Sequence, residues 1–62
     1  MTAREVIARL RSERWEERVG KGSHIIFMKP GVGTVIVPNH RGDIPTGTIR
    51  AIFRAASWLW PP

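Results

Sequence analysis

The chain has 62 residues and carries ten Lys and Arg against five Asp and Glu, a formal charge of +5. It has no cysteine, which excludes disulfide stapling, thiolate chemistry and Cys-ligated zinc. A chain this short buries only about 60% of the surface its unfolded form exposes, so it has no room for a barrel enzyme, a two-domain cofactor enzyme or a deep substrate cavity.

The composition is 42% hydrophobic and 24% charged, that of a folded domain rather than a disordered chain. One domain over residues 1–62 is expected. Its first element is a helix from Thr2 to about Arg14. Val6, Ile7 and Leu10 recur at helical spacing with Ala3 one turn before, and charged residues fill the other faces. Thr2 followed three residues later by Glu5 reads as a capping box, and Glu5 and Arg9 are spaced for an i,i+4 ion pair. Trp15 is expected to fold back on the core.

Glu16 to Val19 reads as a short strand and Gly20-Lys21-Gly22-Ser23 as a turn. The two glycines flanking Lys21 leave backbone N–H groups that can point at an anion. His24 to Met28 and Thr34 to Val37 read as two further strands, separated by Lys29-Pro30-Gly31-Val32-Gly33 and stopped by Pro38. Period two groups Ile25 and Phe27 with Val35 and Val37 on the face toward the helices. His24, Ile26, Met28 and Ile36 then stand on the open face; the opposite assignment would bury His24.

After an irregular loop from Asn39 to Ile44, a second helix is expected from about Gly47 to Ser57. Ile49, Ile52, Phe53 and Ala56 form its apolar stripe, while Arg50 and Arg54 lie away from it. Thr46 is the preferred N-cap, with Asp43 capping an earlier start as the alternative. Trp58 to Pro62 shows no secondary-structure signal, and Trp58 and Trp60 are expected to pack on the domain or on a partner. The fold class is therefore α+β: helix, three antiparallel strands, helix, with both helices on one face of the sheet.

Eight of the ten basic residues are Arg, whose rigid fork of donors suits phosphate. That charge points to a nucleic acid or an acidic protein. The two histidines are the side chains suited to proton transfer near neutral pH. RNA cleavage needs a base for the 2′-hydroxyl, an acid for the leaving 5′-oxygen and positive charge at the phosphate. His24, beside a glycine-rich basic turn, suits the first two roles. His40 is a secondary candidate for proton transfer. Gly47 and Thr48 open a helix whose free N–H groups suit an anion, with Arg50 and Arg41 to add charge. Ser23 reads as a turn residue rather than a nucleophile. His24 and His40 match no metal-ligand spacing, so neither a metal nor a cofactor is expected. The opening residues do not read as a signal peptide, and the longest apolar run, Ala55 to Trp60, is too short to span a bilayer. The cytoplasm is the expected location.

Several of these residues combine into a pattern. Arg18, then Gly22-Ser23-His24, then Phe27 is followed by Thr34-Val35-Ile36-Val37-Pro38 and His40. Asp43-Ile44-Pro45, Gly47-Thr48-Ile49-Arg50 and Ile52 continue it, with Arg4-Glu5-Val6-Ile7 and Trp15 ahead. Over residues 2–56 the chain resembles HicA-type mRNA interferase toxins, the YcfA-like family. The resemblance implies an α-β-β-β-α fold like a double-stranded-RNA-binding domain. It implies metal-independent endoribonuclease cleavage of mRNA with His24 as the catalytic residue. It also implies a HicB-type antitoxin partner that forms a heteromeric complex with the toxin. Lys21, Gly22, Ser23, Arg41, Gly47, Thr48 and Arg50 are the expected RNA and phosphate contacts. Two departures stand out: Arg14 and Ser57 occupy places where the family often has glycine, and residues 57–62 form a divergent tail. A non-catalytic RNA-binding module and a basic protein-interaction domain are the competing readings.

Overall fold

Thr2 opens the first helix as its spacing to Glu5 predicts. In the computed structural model, which describes residues 1–39 and 41–62, α1 runs over Ala3–Ser12 and its capping box is complete. The Glu5 N–H donates to Thr2 Oγ1 at 3.2 Å and the Thr2 N–H donates to Glu5 Oε1 at 2.9 Å. These bonds hold the Glu5 carboxyl below its ordinary pKa, the Thr2 backbone donor contributing most. Because Glu5 is committed to the cap, the expected Glu5–Arg9 pair does not form. Arg9 instead meets Glu13 one turn later, at 3.2 Å.

The three strands are β1 (Glu16–Val19), β2 (His24–Lys29) and β3 (Gly33–Pro38). They form an antiparallel sheet in the order β1-β2-β3. Cross-strand partners are Arg18 and Ile26, Ile25 and Val37, and Phe27 and Val35. The β1–β2 turn closes through Gly20 N–H to the His24 carbonyl at 3.0 Å and His24 N–H to the Lys21 carbonyl at 3.2 Å. Gly22 sits there at φ +61, a left-handed conformation that favours glycine. The Gly20 N–H is spent inside the turn, so only part of the expected anion-binding arc remains.

The second helix, α2, spans Thr46–Ala56, one residue earlier than the periodicity suggests at each end. Its N-cap is Pro45, not Thr46, and no side chain caps it. Pro45 is extended, at ψ 143, and its carbonyl accepts the first helical bond from Ile49 N–H at 3.0 Å, which places Thr46 inside the helix. Asp43 does not cap it either. It bridges to Thr2 and lies 3.7 Å from the N-terminal amine.

Both helices pack on one face of the sheet. Val6, Leu10, Phe27, Val35, Val37 and Phe53 are the largest fully buried side chains. Each contributes about 1.5–3 kcal/mol by leaving water. Ala3, Ile7, Trp15, Ile44, Ile49, Ile52 and Ala56 complete the core, as does Trp58 from the segment that showed no secondary-structure signal. The face assignment follows the period-two reading: His24 is exposed, and Ile36 on the open face is 55% exposed.

Each helix ends the same way. Trp15 N–H bonds the Leu10 carbonyl at 3.1 Å, and Trp58 N–H bonds the Phe53 carbonyl at 2.8 Å. The residue before each tryptophan, Arg14 at φ 65 and Ser57 at φ 60, is left-handed. This is the Schellman closure, which normally takes glycine.

Candidate nucleic-acid interface

His24 is the first residue of β2, and the strand's alternation turns its side chain to the open face. The imidazole Nδ1 lies 3.3 Å from the Lys21 carbonyl oxygen. A carbonyl only accepts, so in the neutral ring this contact is a hydrogen bond only in the tautomer with the proton on Nδ1, which keeps the lone pair on Nε2. Gly22 makes the turn tight enough for that contact. Gly20, Lys21, His24, Ile26 and Ile36 together line a shallow depression of about 310 Å³. It has an apolar floor, one titratable ring and one ammonium at its edge.

The other expected contacts fall into separate groups. Ser23 is joined to the β3–α2 loop, its carbonyl accepting from Asn39 N–H at 2.7 Å. Arg41 lines a notch of about 390 Å³ with Thr2, Ala3, Arg4, Asn39 and Gly42, beside the start of α1. Gly47 and Thr48 lie in the first turn of α2, which has no acidic residue and no side-chain cap. A Cβ at Gly47 would meet nothing within 4 Å, and its φ is ordinary, so the fold itself does not require glycine there. Thr48 lines a groove against Thr34 and Ile36 of β3, and through Ile36 it borders the depression that holds His24. Arg50 is turned elsewhere, with its guanidinium 5.9 Å from the Trp60 ring centroid. The expectation for His40 lies outside the described residues.

A family model described as HicA toxin of bacterial toxin-antitoxin matches residues 3–58. The chain belongs to the HicA toxin family. It is thus a toxin of a toxin–antitoxin system, and an antitoxin is its partner. No curated protein matches the chain. The HicA match ends at Trp58, which is also where the buried core ends, so the first residues of the tail are part of the packed domain. Among the described residues, no helix is long and apolar enough to cross a membrane.

Sequence reasoning placed Arg4 and Arg18 in the family pattern without assigning them an RNA contact, and gave Asn39 no role. Arg4 and Asn39 line both the notch at the start of α1 and a second groove along it with Ile7, Ala8, Arg11 and Ile25. The Arg11 guanidinium there is bound by Glu17 through two bonds of 2.8 and 2.9 Å. That pairing raises the Arg11 pKa and lowers that of Glu17. Arg18 stands opposite Ile26 on the His24 face of the sheet. Only the pairing register makes this visible, because period two within β1 does not say which β2 residue lies across from it.

Proposed function

We propose that the chain is a metal-independent endoribonuclease that cleaves mRNA, with His24 as general acid–base, and that a HicB-type antitoxin masks it. The observation that carries this reading is the exposed imidazole of His24, held by its Nδ1 at the Lys21 carbonyl with Nε2 free beside a lysine. Nε2 takes the proton of a ribose 2′-hydroxyl. The 2′-oxygen attacks the neighbouring phosphorus, and the P–O5′ bond breaks. The leaving 5′-oxygen receives a proton from the imidazolium or from water. The products are a 2′,3′-cyclic phosphate and a 5′-hydroxyl end, with no water consumed in this step. The nucleophile belongs to the RNA itself, so no metal-bound hydroxide is required.

Lys21 and the turn at Gly22 and Ser23 approach the phosphate from the site side. Arg41, Gly47, Thr48 and Arg50 hold more distant parts of the RNA. Proton transfer by one positioned side chain contributes about 10² to 10⁴ in rate. His40 is the further proton-transfer candidate. An mRNA substrate puts the activity in the cytoplasm.

The test incubates purified wild type and His24→Ala with RNA in EDTA and determines the product ends. Wild type should yield cyclic-phosphate and 5′-hydroxyl ends, and His24→Ala should lose at least about a hundredfold in rate. Intact RNA with folded wild type would defeat the ribonuclease reading. RNA binding without cleavage would leave a binding module of the same fold. Negligible RNA affinity near physiological salt would leave a protein-interaction domain, because an RNA binder weakens steeply and log-linearly with salt.

A further inference from the structure

We propose that Arg18 is the cation that meets the cleaved phosphate, and that Glu16 holds it aside until RNA binds. The inference rests on the ribonuclease reading of the His24 site. Arg18 and Ile26 are direct cross-strand partners. His24 is two residues from Ile26 on β2 and shares its face. Arg18 and His24 are therefore diagonal neighbours on the open face, a separation of about 7–8 Å in an antiparallel pair and somewhat less between Cβ atoms. Ile26 lies between them as part of the floor of the depression. A long side chain spans that gap, and a phosphate above Ile26 would meet the imidazole from one side and the guanidinium from the other.

In this structure Arg18 leans the other way along β1. Its Nε and Nη2 donate to Glu16 Oε1 at 3.4 and 3.1 Å. Glu16 lies opposite Met28, further from His24. The pair is a weak latch, because the Arg18 and Glu16 side chains are 64% and 62% exposed. Exposed pairs of this kind are worth about 0–1 kcal/mol. A phosphodiester offers the guanidinium two oxygens at once, a stronger and better-matched partner. The other candidate arginines lie elsewhere: Arg41 lines the notch beside α1, and the Arg50 guanidinium is 5.9 Å from the Trp60 ring centroid. Lys21 supplies a point charge at the depression but no fork. Charge builds on the equatorial phosphate oxygens as the 2′-oxygen attacks, so a fork placed there acts on kcat as well as on binding.

The experiment measures kcat and KM on a single-stranded RNA in EDTA for wild type, His24→Ala, Arg18→Ala, Arg18→Lys and Glu16→Gln. Arg18→Ala should lose about tenfold to a hundredfold in kcat/KM, with part of the loss in kcat, and Arg18→Lys should recover some of it. Glu16→Gln should gain about two- to fivefold, because it releases the latch. With cleavage blocked by His24→Ala, adding Arg18→Ala should lower the slope of log affinity against log salt by about 0.7. Two results overturn the inference while leaving His24 in place. One is Arg18→Ala cleaving within twofold of wild type, and the other is a loss of activity in Glu16→Gln. Wild type that fails to cleave overturns the ribonuclease reading, and this inference with it. If Arg18→Ala melts early, Arg18→Lys and Glu16→Gln decide the matter, since both keep the bulk of the side chain they replace.

Discussion

At the Glu13 corner of the domain, four side chains converge on one residue. At the His24 corner, an imidazole makes one backbone contact and otherwise faces solvent. The two corners lie at opposite ends of the same strand, for β2 begins with His24 and ends with Lys29. Lys29 Nζ donates to the Glu13 carbonyl at 2.9 Å. Trp58 Nε1 and Trp15 Nε1 donate to the Glu13 carboxylate at 2.8 and 3.4 Å. The Arg9 guanidinium donates to the same carboxylate and covers the Trp58 ring, 4.1 Å from its centroid. The Phe53 ring stands nearly perpendicular to those of Trp58 and Trp60, with centroids 5.1 and 5.2 Å away. One end of the sheet thus supplies stability, and the other leaves polar groups ready for a ligand. A small domain with thin stability must concentrate its packing somewhere. Here it does so away from the candidate site.

The largest break in that contrast is Phe53→Ala. It empties the centre of the Glu13 corner and should cost about 3–5 kcal/mol in chemical denaturation, enough to leave much of the protein unfolded. His24→Ala, the variant that should slow cleavage at least about a hundredfold, should shift the same denaturation curve by less than about 0.5 kcal/mol. Equal destabilisation by both variants would erase the distinction between the corners.

Acid offers a gentler probe. The Trp58 hydrogen bond is the main influence on the Glu13 carboxyl and lowers its pKa. Burial opposes it, and bonds from Arg9 and Trp15 reinforce it. A carboxyl whose folded pKa is depressed adds stability above its unfolded value and loses it as pH falls through the folded value. Thermal melts followed by tryptophan fluorescence should therefore show wild type losing stability below the ordinary carboxylate range. Glu13→Gln should start about 1 kcal/mol lower at neutral pH and lose less on acidification.

The smallest effect sharpens the comparison from the helix ends. Arg14 and Ser57 hold left-handed backbone just before the two tryptophans that reach Glu13. Glycine relieves that strain but adds freedom to the unfolded chain, so Arg14→Gly and Ser57→Gly should each stabilise by about 0.5–1 kcal/mol. A loss of stability in either would mean that the replaced side chain contributes more than its backbone strain costs. Both positions bear on how the helices close, and Ser57 also on how the tail begins.

Local patterns in the sequence were enough to place α1 and its capping box, the three strands and the apolar stripe of α2, and to group the side chains of each strand by face. Each of these rests on interactions between residues a few positions apart, or on strict alternation along one strand. Which face is exposed, and with it His24, was decided by packing. Partner choice was decided by the tertiary structure. Glu5 could bond Thr2 or Arg9, Asp43 could cap α2 or pair with the N-terminus, and Trp58 could pack on the domain or on a partner. Those choices depend on which groups from distant segments arrive at the same place. The same holds at the candidate site, where Arg18 becomes a neighbour of His24 only when β1 and β2 take their register. Spacing along a chain encodes which face a side chain occupies, but what it meets across a strand or a helix end is set by packing.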